Sequence, residues 1–68
     1  MKELIFLVEE SIDGGYEARS LGESIYTEAE NLEDLKAEIK DAVQCHFEAE
    51  EMPRVIRLHF IKEEVINI

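Results

Sequence analysis

The spacing of apolar and polar positions changes twice along the chain. Leu4-Ile5-Phe6-Leu7-Val8 is apolar at every position, so an extended segment here carries apolar side chains on both faces. That pattern predicts a strand in the interior of a sheet, and the run is too short for a convincing helix. Ile12-Asp13-Gly14-Gly15-Tyr16 follows, and Asp-Gly between strand-like runs predicts a type I′ hairpin, which needs positive φ at both central residues. Tyr16-Glu17-Ala18-Arg19-Ser20-Leu21 alternates as a second strand, Leu21-Gly22-Glu23-Ser24 reads as a tight turn, and Ile25-Tyr26-Thr27-Glu28-Ala29 is a third strand rich in β-formers. These strands predict an antiparallel meander.

The period then becomes helical. Leu32, Leu35, Ile39, Ala42, Val43, His46 and Phe47 recur on one side, with Asn31 placed to N-cap and Glu33 and Asp34 in the first turn. An amphipathic helix of about four to five turns is expected, fraying over Glu48 to Glu51 and closed off by Pro53. Period two returns in Arg54-Val55-Ile56-Arg57-Leu58-His59-Phe60-Ile61, a fourth strand; Val65-Ile66-Asn67-Ile68 either extends it or turns back as a short fifth.

The order β-β-β-α-β predicts a two-layer α+β domain spanning residues 1–68. Its four-stranded mixed sheet has order 3-2-1-4, reached by a right-handed crossover, with one helix on one face. Leu4, Phe6, Val8, Ile56, Leu58 and Phe60 are expected to face the helix. Ile5, Leu7, Val55, Arg57, His59 and Ile61 then lie on the outer face, the expected surface of a homodimer or higher oligomer. The alternative is that Arg57, His59 and Val65 to Ile68 fold over and shield that face.

Charge sharpens the picture. The 68 residues carry 17 acids against 7 bases, a net charge of −10. Residues 1–22 hold five acids and two bases, residues 23–51 ten and two, and residues 52–68 two and three, so the segments run −3, −8 and +1. Direct nucleic-acid binding is disfavoured, because it draws its affinity from Lys and Arg against phosphate. The acidic middle suits a basic partner, or else is a solvated helix face. One cysteine excludes an internal disulfide, and no apolar run approaches the length of a membrane span, so a cytoplasmic protein without a membrane partner is expected.

No residue pattern calls for catalysis, a cofactor or a metal. Cys45 and His46 are adjacent and diverge by about 100° on a helix, so they read as a packed thiol and a satisfied histidine. His46 and Glu50 at i, i+4, with His59, would make a weak metal site. Gly14-Gly15 has no phosphate-loop spacing and is explained by a turn. Tyr16, Tyr26 and the phenylalanines read as core and cross-strand packing, and Arg54, Arg57 and Lys62 as a basic stripe that pairs with a neighbouring subunit's acids.

Asp13-Gly14-Gly15-Tyr16, then Asn31-Leu32-Glu33-Asp34-Leu35 at the helix cap and Glu38-Ile39-Lys40-Asp41-Ala42 within the helix, resemble the HicB antitoxin family. The likeness covers residues 2–48, and the last strand by order only. It implies a partial RNase H-like domain that oligomerises and neutralises a small basic RNase toxin, HicA, without enzymatic activity of its own. Glu33, Asp34, Glu38 and Asp41 are the acidic helix residues expected to face such a partner. The turn before the third strand is shorter than the family's, and the chain is expected to lack the family's C-terminal DNA-binding domain, so operator binding is not carried over. The second expectation is a structural or regulatory homo-oligomer with no toxin partner.

Overall fold

The computed structural model describes residues 2–68. Its elements are β1 (Glu3–Glu10), β2 (Tyr16–Ser20), β3 (Tyr26–Ala29), α1 (Leu32–His46) and β4 (Val55–Ile61), and the sheet order is β3-β2-β1-β4. β1 pairs antiparallel with β2 and parallel with β4, which makes it the interior strand that its two-sided apolar run requires. Phe6 lies between Ser20 on one neighbour and Leu58 on the other.

The core forms where α1 crosses the sheet. Leu35, Ile39 and Val43 from the helix meet Leu4, Phe6, Val8, Ala18 and Ile25, all of them buried. Removing each larger side chain of this set from water contributes about 1.5–3 kcal/mol. The helix begins as its cap residue dictates: the Asn31 side chain accepts from the Asp34 backbone N–H at 2.8 Å, and Asn31 C=O accepts from Leu35 N–H at 3.0 Å. It ends at Phe47, whose N–H reaches the Val43 carbonyl at 3.1 Å while its backbone turns extended. Glu48 to Glu51 lie beyond the helix, so the acids expected to fray its end are outside it.

Both turns are tight, but the first is not type I′. Gly14 N–H donates to the Ser11 carbonyl at 3.0 Å and Ser11 N–H to the Gly15 carbonyl at 2.7 Å, with positive φ at Gly14 alone. Ile12 and Asp13 thus keep ordinary negative φ, and the glycine takes the one left-handed position of a longer hairpin loop. Gly15 serves a different need: a Cβ there would sit 2.8 Å from the Ala29 carbonyl oxygen, so its bareness lets the hairpin close on the end of β3. In the second turn Ser20 Oγ donates to the Glu23 carbonyl at 2.6 Å, and Gly22 holds φ at +86°.

Three further expectations change. The third strand starts at Tyr26, with Ile25 buried just before it. Phe60, expected to face the helix, is 57% exposed, and Ile56 and Leu58 are only partly buried. The reason is width. A helix about 10 Å across covers roughly two strands spaced about 4.8 Å apart, and α1 lies over β2 and β3 rather than β4. Residues 62–68 neither extend β4 nor return as a fifth strand, and Val65, Ile66 and Ile68 are exposed, so the tail does not shield the outer sheet face.

Candidate functional site: the acidic helix face and the fourth strand

Glu33, Asp34, Glu38 and Asp41 are all exposed. At 100° per residue they fall within an arc of about 140°, opposite the Leu35–Ile39–Val43 stripe that fixes the helix on the sheet. Because the buried stripe sets the roll of α1, the acids are held facing outward. Asp34 also accepts from the Asn31 side-chain amide at 3.1 Å, tying its carboxylate to the cap. The other acids carry no such restraint among the contacts of the described residues. The arrangement presents a patch of negative charge to solvent, suited to steering a cationic surface.

The residues expected on the outer sheet face divide by strand. Ile5 and Leu7, on the interior strand, are half-buried; Val55, Arg57, His59 and Ile61, on β4, are exposed. Arg57 Nε donates to Glu3 Oε2 at 2.8 Å, a bond across the β1–β4 pair that raises the guanidinium pKa and holds it charged. The basic stripe therefore already has one partner within the chain. Exposed as both groups are, this pair adds little to stability.

β4 leaves one backbone edge open among the described residues. Val55 N–H donates to the Lys2 carbonyl at 3.1 Å, so Val55 and, by the alternation of a parallel ladder, Arg57, His59 and Ile61 bond toward β1. Ile56, Leu58 and Phe60 thus direct their N–H and C=O groups away from the sheet. Val55, Phe60 and Ile61 are 47%, 57% and 42% exposed along this edge. On the helix side of Phe60 an open groove of about 420 Å³ runs past Val8, Tyr16 and Leu32.

The remaining chemistry-bearing residues stay apart. Cys45, expected to pack, is exposed, because at 100° per residue it falls between Asp34 and Glu38 on the outward arc of the helix, about 120° from the centre of the buried stripe. His46 does not pair with Glu50; its Nε2 lies 3.0 Å from Glu23 Oε1, a contact across the turn before β3 that the helical spacing did not reveal. No group of three or more His, Cys, Asp or Glu side chains gathers at one point among the described residues. Tyr26, expected as packing, is 58% exposed. Its hydroxyl donates to the carboxylates of Glu17 and Glu28 at 3.1 and 3.3 Å, and the bond to Glu17 above all raises its pKa above the ordinary 10.0. No helix among the described residues is long and apolar enough to cross a membrane.

Fold and surfaces together define a small two-layer α+β domain, acidic along its helix and open along one strand. The chain belongs to the UPF0150 family. It is 60% identical over 52 residues to a UPF0150 protein of Archaeoglobus fulgidus, covering 76% of this chain and 77% of that one. It is 40% identical over 67 residues to a UPF0150 protein of Thermotoga maritima, covering 98% and 94%. No family model matches the chain, and no solved structure matches it.

Proposed function

We propose that this chain is a non-enzymatic, HicB-like antitoxin-type protein that self-associates and binds a small basic HicA-like RNase, masking it. The observation that carries the reading is the outward patch of Glu33, Asp34, Glu38 and Asp41, on a segment of net charge −8, held in a fixed orientation by the buried helix stripe. The Asp13-Gly14-Gly15-Tyr16 hairpin and the 3-2-1-4 sheet with its single helix support it. In this role the acids speed encounter with the cationic toxin, and apolar positions supply the contact area.

The test is kinetic. Lysine replacing Glu33, Asp34, Glu38 and Asp41 together is expected to slow association with a small basic RNase encoded beside this chain by about tenfold or more at low salt. It should also flatten the salt dependence of the on-rate. Unchanged on-rates would contradict the reading. A second reading, a regulatory homo-oligomer without a toxin, draws on the exposed apolar residues of β4, which offer self-contact independent of any basic partner. A tagged pull-down from the host that returns only the protein itself would favour it.

A further inference from the structure

We infer that the open edge of β4 is a two-fold seam, pairing antiparallel with β4 of a second copy in a register centred on Leu58. The inference rests on the reading of the chain as self-associating, and it fixes how the copies join. Three observations lead to it.

First, the edge is unguarded. Strand edges are usually blunted by proline, lysine, a bulge or shortness. β4 runs seven residues, Val55–Ile61, with no Pro, Gly or Lys among them, and its one charged residue, Arg57, is already engaged by Glu3 on β1. The sheet's other edge, β3, is four residues long and carries Glu28, with Glu30 just beyond its end.

Second, the strand is complementary to itself. Ile56, Leu58 and Phe60 are the residues whose N–H and C=O groups point outward, and a two-fold axis at Leu58 sets each of them opposite another of the three. Leu58 meets Leu58 of the second copy, and Ile56 meets Phe60 at either side. Each is a hydrogen-bonded antiparallel pair, giving about six new backbone bonds. On the helix side the partly covered Ile56, Leu58 and Phe60 then bury one another. On the outer side Val55 meets Ile61 and Arg57 meets His59. Moving the axis one residue toward the N-terminus sets Arg57 against Arg57 and shortens the overlap. Arg54 falls opposite Lys62 at the rim, where Glu64 of the second copy lies on the diagonal.

Third, charge favours self-contact here. Residues 52–68 carry +1 in a chain of −10, against −3 and −8 for residues 1–22 and 23–51, so this segment meets its own copy with the least acidic repulsion. α1 lies over β2 and β3, which keeps the two acidic helix faces away from the seam and free for another partner.

The experiment measures sedimentation of the full chain across a concentration series, with two changes to the edge. Phe60→Lys is expected to raise the dimer dissociation constant by about a hundredfold, since it sets an ammonium against Ile56 of the second copy. N-methylation of the Leu58 amide in the chemically synthesised chain removes only an outward donor and should weaken the dimer similarly, with circular dichroism unchanged in both. Register is read in a Cys45→Ser background: Arg57→Cys mixed with His59→Cys should oxidise to covalent dimer in far higher yield than either alone. If the chain self-associates but neither edge change weakens it, or if the mixed cysteines cross-link no better than the single ones, the seam is refuted while self-association stands. A wild-type chain that stays monomeric at high micromolar concentration overturns both.

Discussion

The two edges of this sheet solve the same problem in opposite ways. β3 is four residues long, bears Glu28, has Tyr26 hydrogen-bonded to two carboxylates and lies under the helix. β4 is seven residues long, has no charged residue on its helix side and extends beyond the helix's cover. An edge that is short, acidic and covered resists pairing; one that is long, apolar on its helix side and uncovered invites it. The difference shows where a single-helix domain must seek more burial. A chain this small hides only about 60% of the surface its unfolded form exposes, and within the sheet the large aliphatic and phenylalanine side chains it leaves open, Val55, Phe60 and Ile61, lie on β4.

The largest contrast comes from truncating one aromatic on each side of that boundary. Phe6 is fully buried beneath the helix, so Phe6→Ala is expected to destabilise the domain by about 3–5 kcal/mol, enough to unfold it in a thermal melt. Phe60→Ala should change the stability of the isolated chain by under about 1 kcal/mol, because the ring is already 57% exposed. Its effect should appear instead in the dissociation constant of the proposed dimer. Equal losses of stability would mean that the boundary between covered and open strands is drawn wrongly.

A smaller effect, of opposite sign, is expected on the covered side. Thr27 on β3 has its Oγ1 buried with no hydrogen-bond partner among the described residues. Thr27→Val keeps the shape and removes the unsatisfied hydroxyl, and should raise stability by about 1 kcal/mol in denaturant unfolding. A loss would show that the hydroxyl is satisfied in solution.

The smallest effect lies at the β3 edge and depends on pH. Tyr26 holds its proton more tightly when folded than when unfolded, because its hydroxyl donates to Glu17 and Glu28. Its contribution is therefore fully present below the unfolded tyrosine pKa of about 10 and is lost as pH rises through the folded value. Tyr26→Phe should remove that part of the alkaline decline and leave stability at neutral pH nearly unchanged. An identical alkaline profile in the variant would show that the two carboxylates do not hold the hydroxyl in solution.

Much of this architecture was legible in the residues. The two-sided run Leu4 to Val8 could only be an interior strand, and placing it there forces β4 beside it and the order 3-2-1-4. Asn31 and the Leu35–Ile39–Val43 spacing located the helix and its roll, and with them the outward acids. Phe60 lies on the helix-side face as its alternation requires, opposite Val8, but stays exposed, because alternation along a strand does not say how far one helix reaches across four strands. The His46–Glu23 and Arg57–Glu3 contacts join residues 23 and 54 positions apart, and no local period encodes them. The open edge was missed for a related reason, since side-chain patterning does not report which backbone groups lack a partner.

Amide exchange followed by NMR as a function of protein concentration tests the central claim most directly. With β4 paired to a second copy about Leu58, the amides of Ile56, Leu58 and Phe60 gain protection as concentration rises, while those of Arg57 and His59, bonded to β1, are protected throughout. A self-associated protein whose Ile56, Leu58 and Phe60 amides exchange freely at every concentration would contradict it.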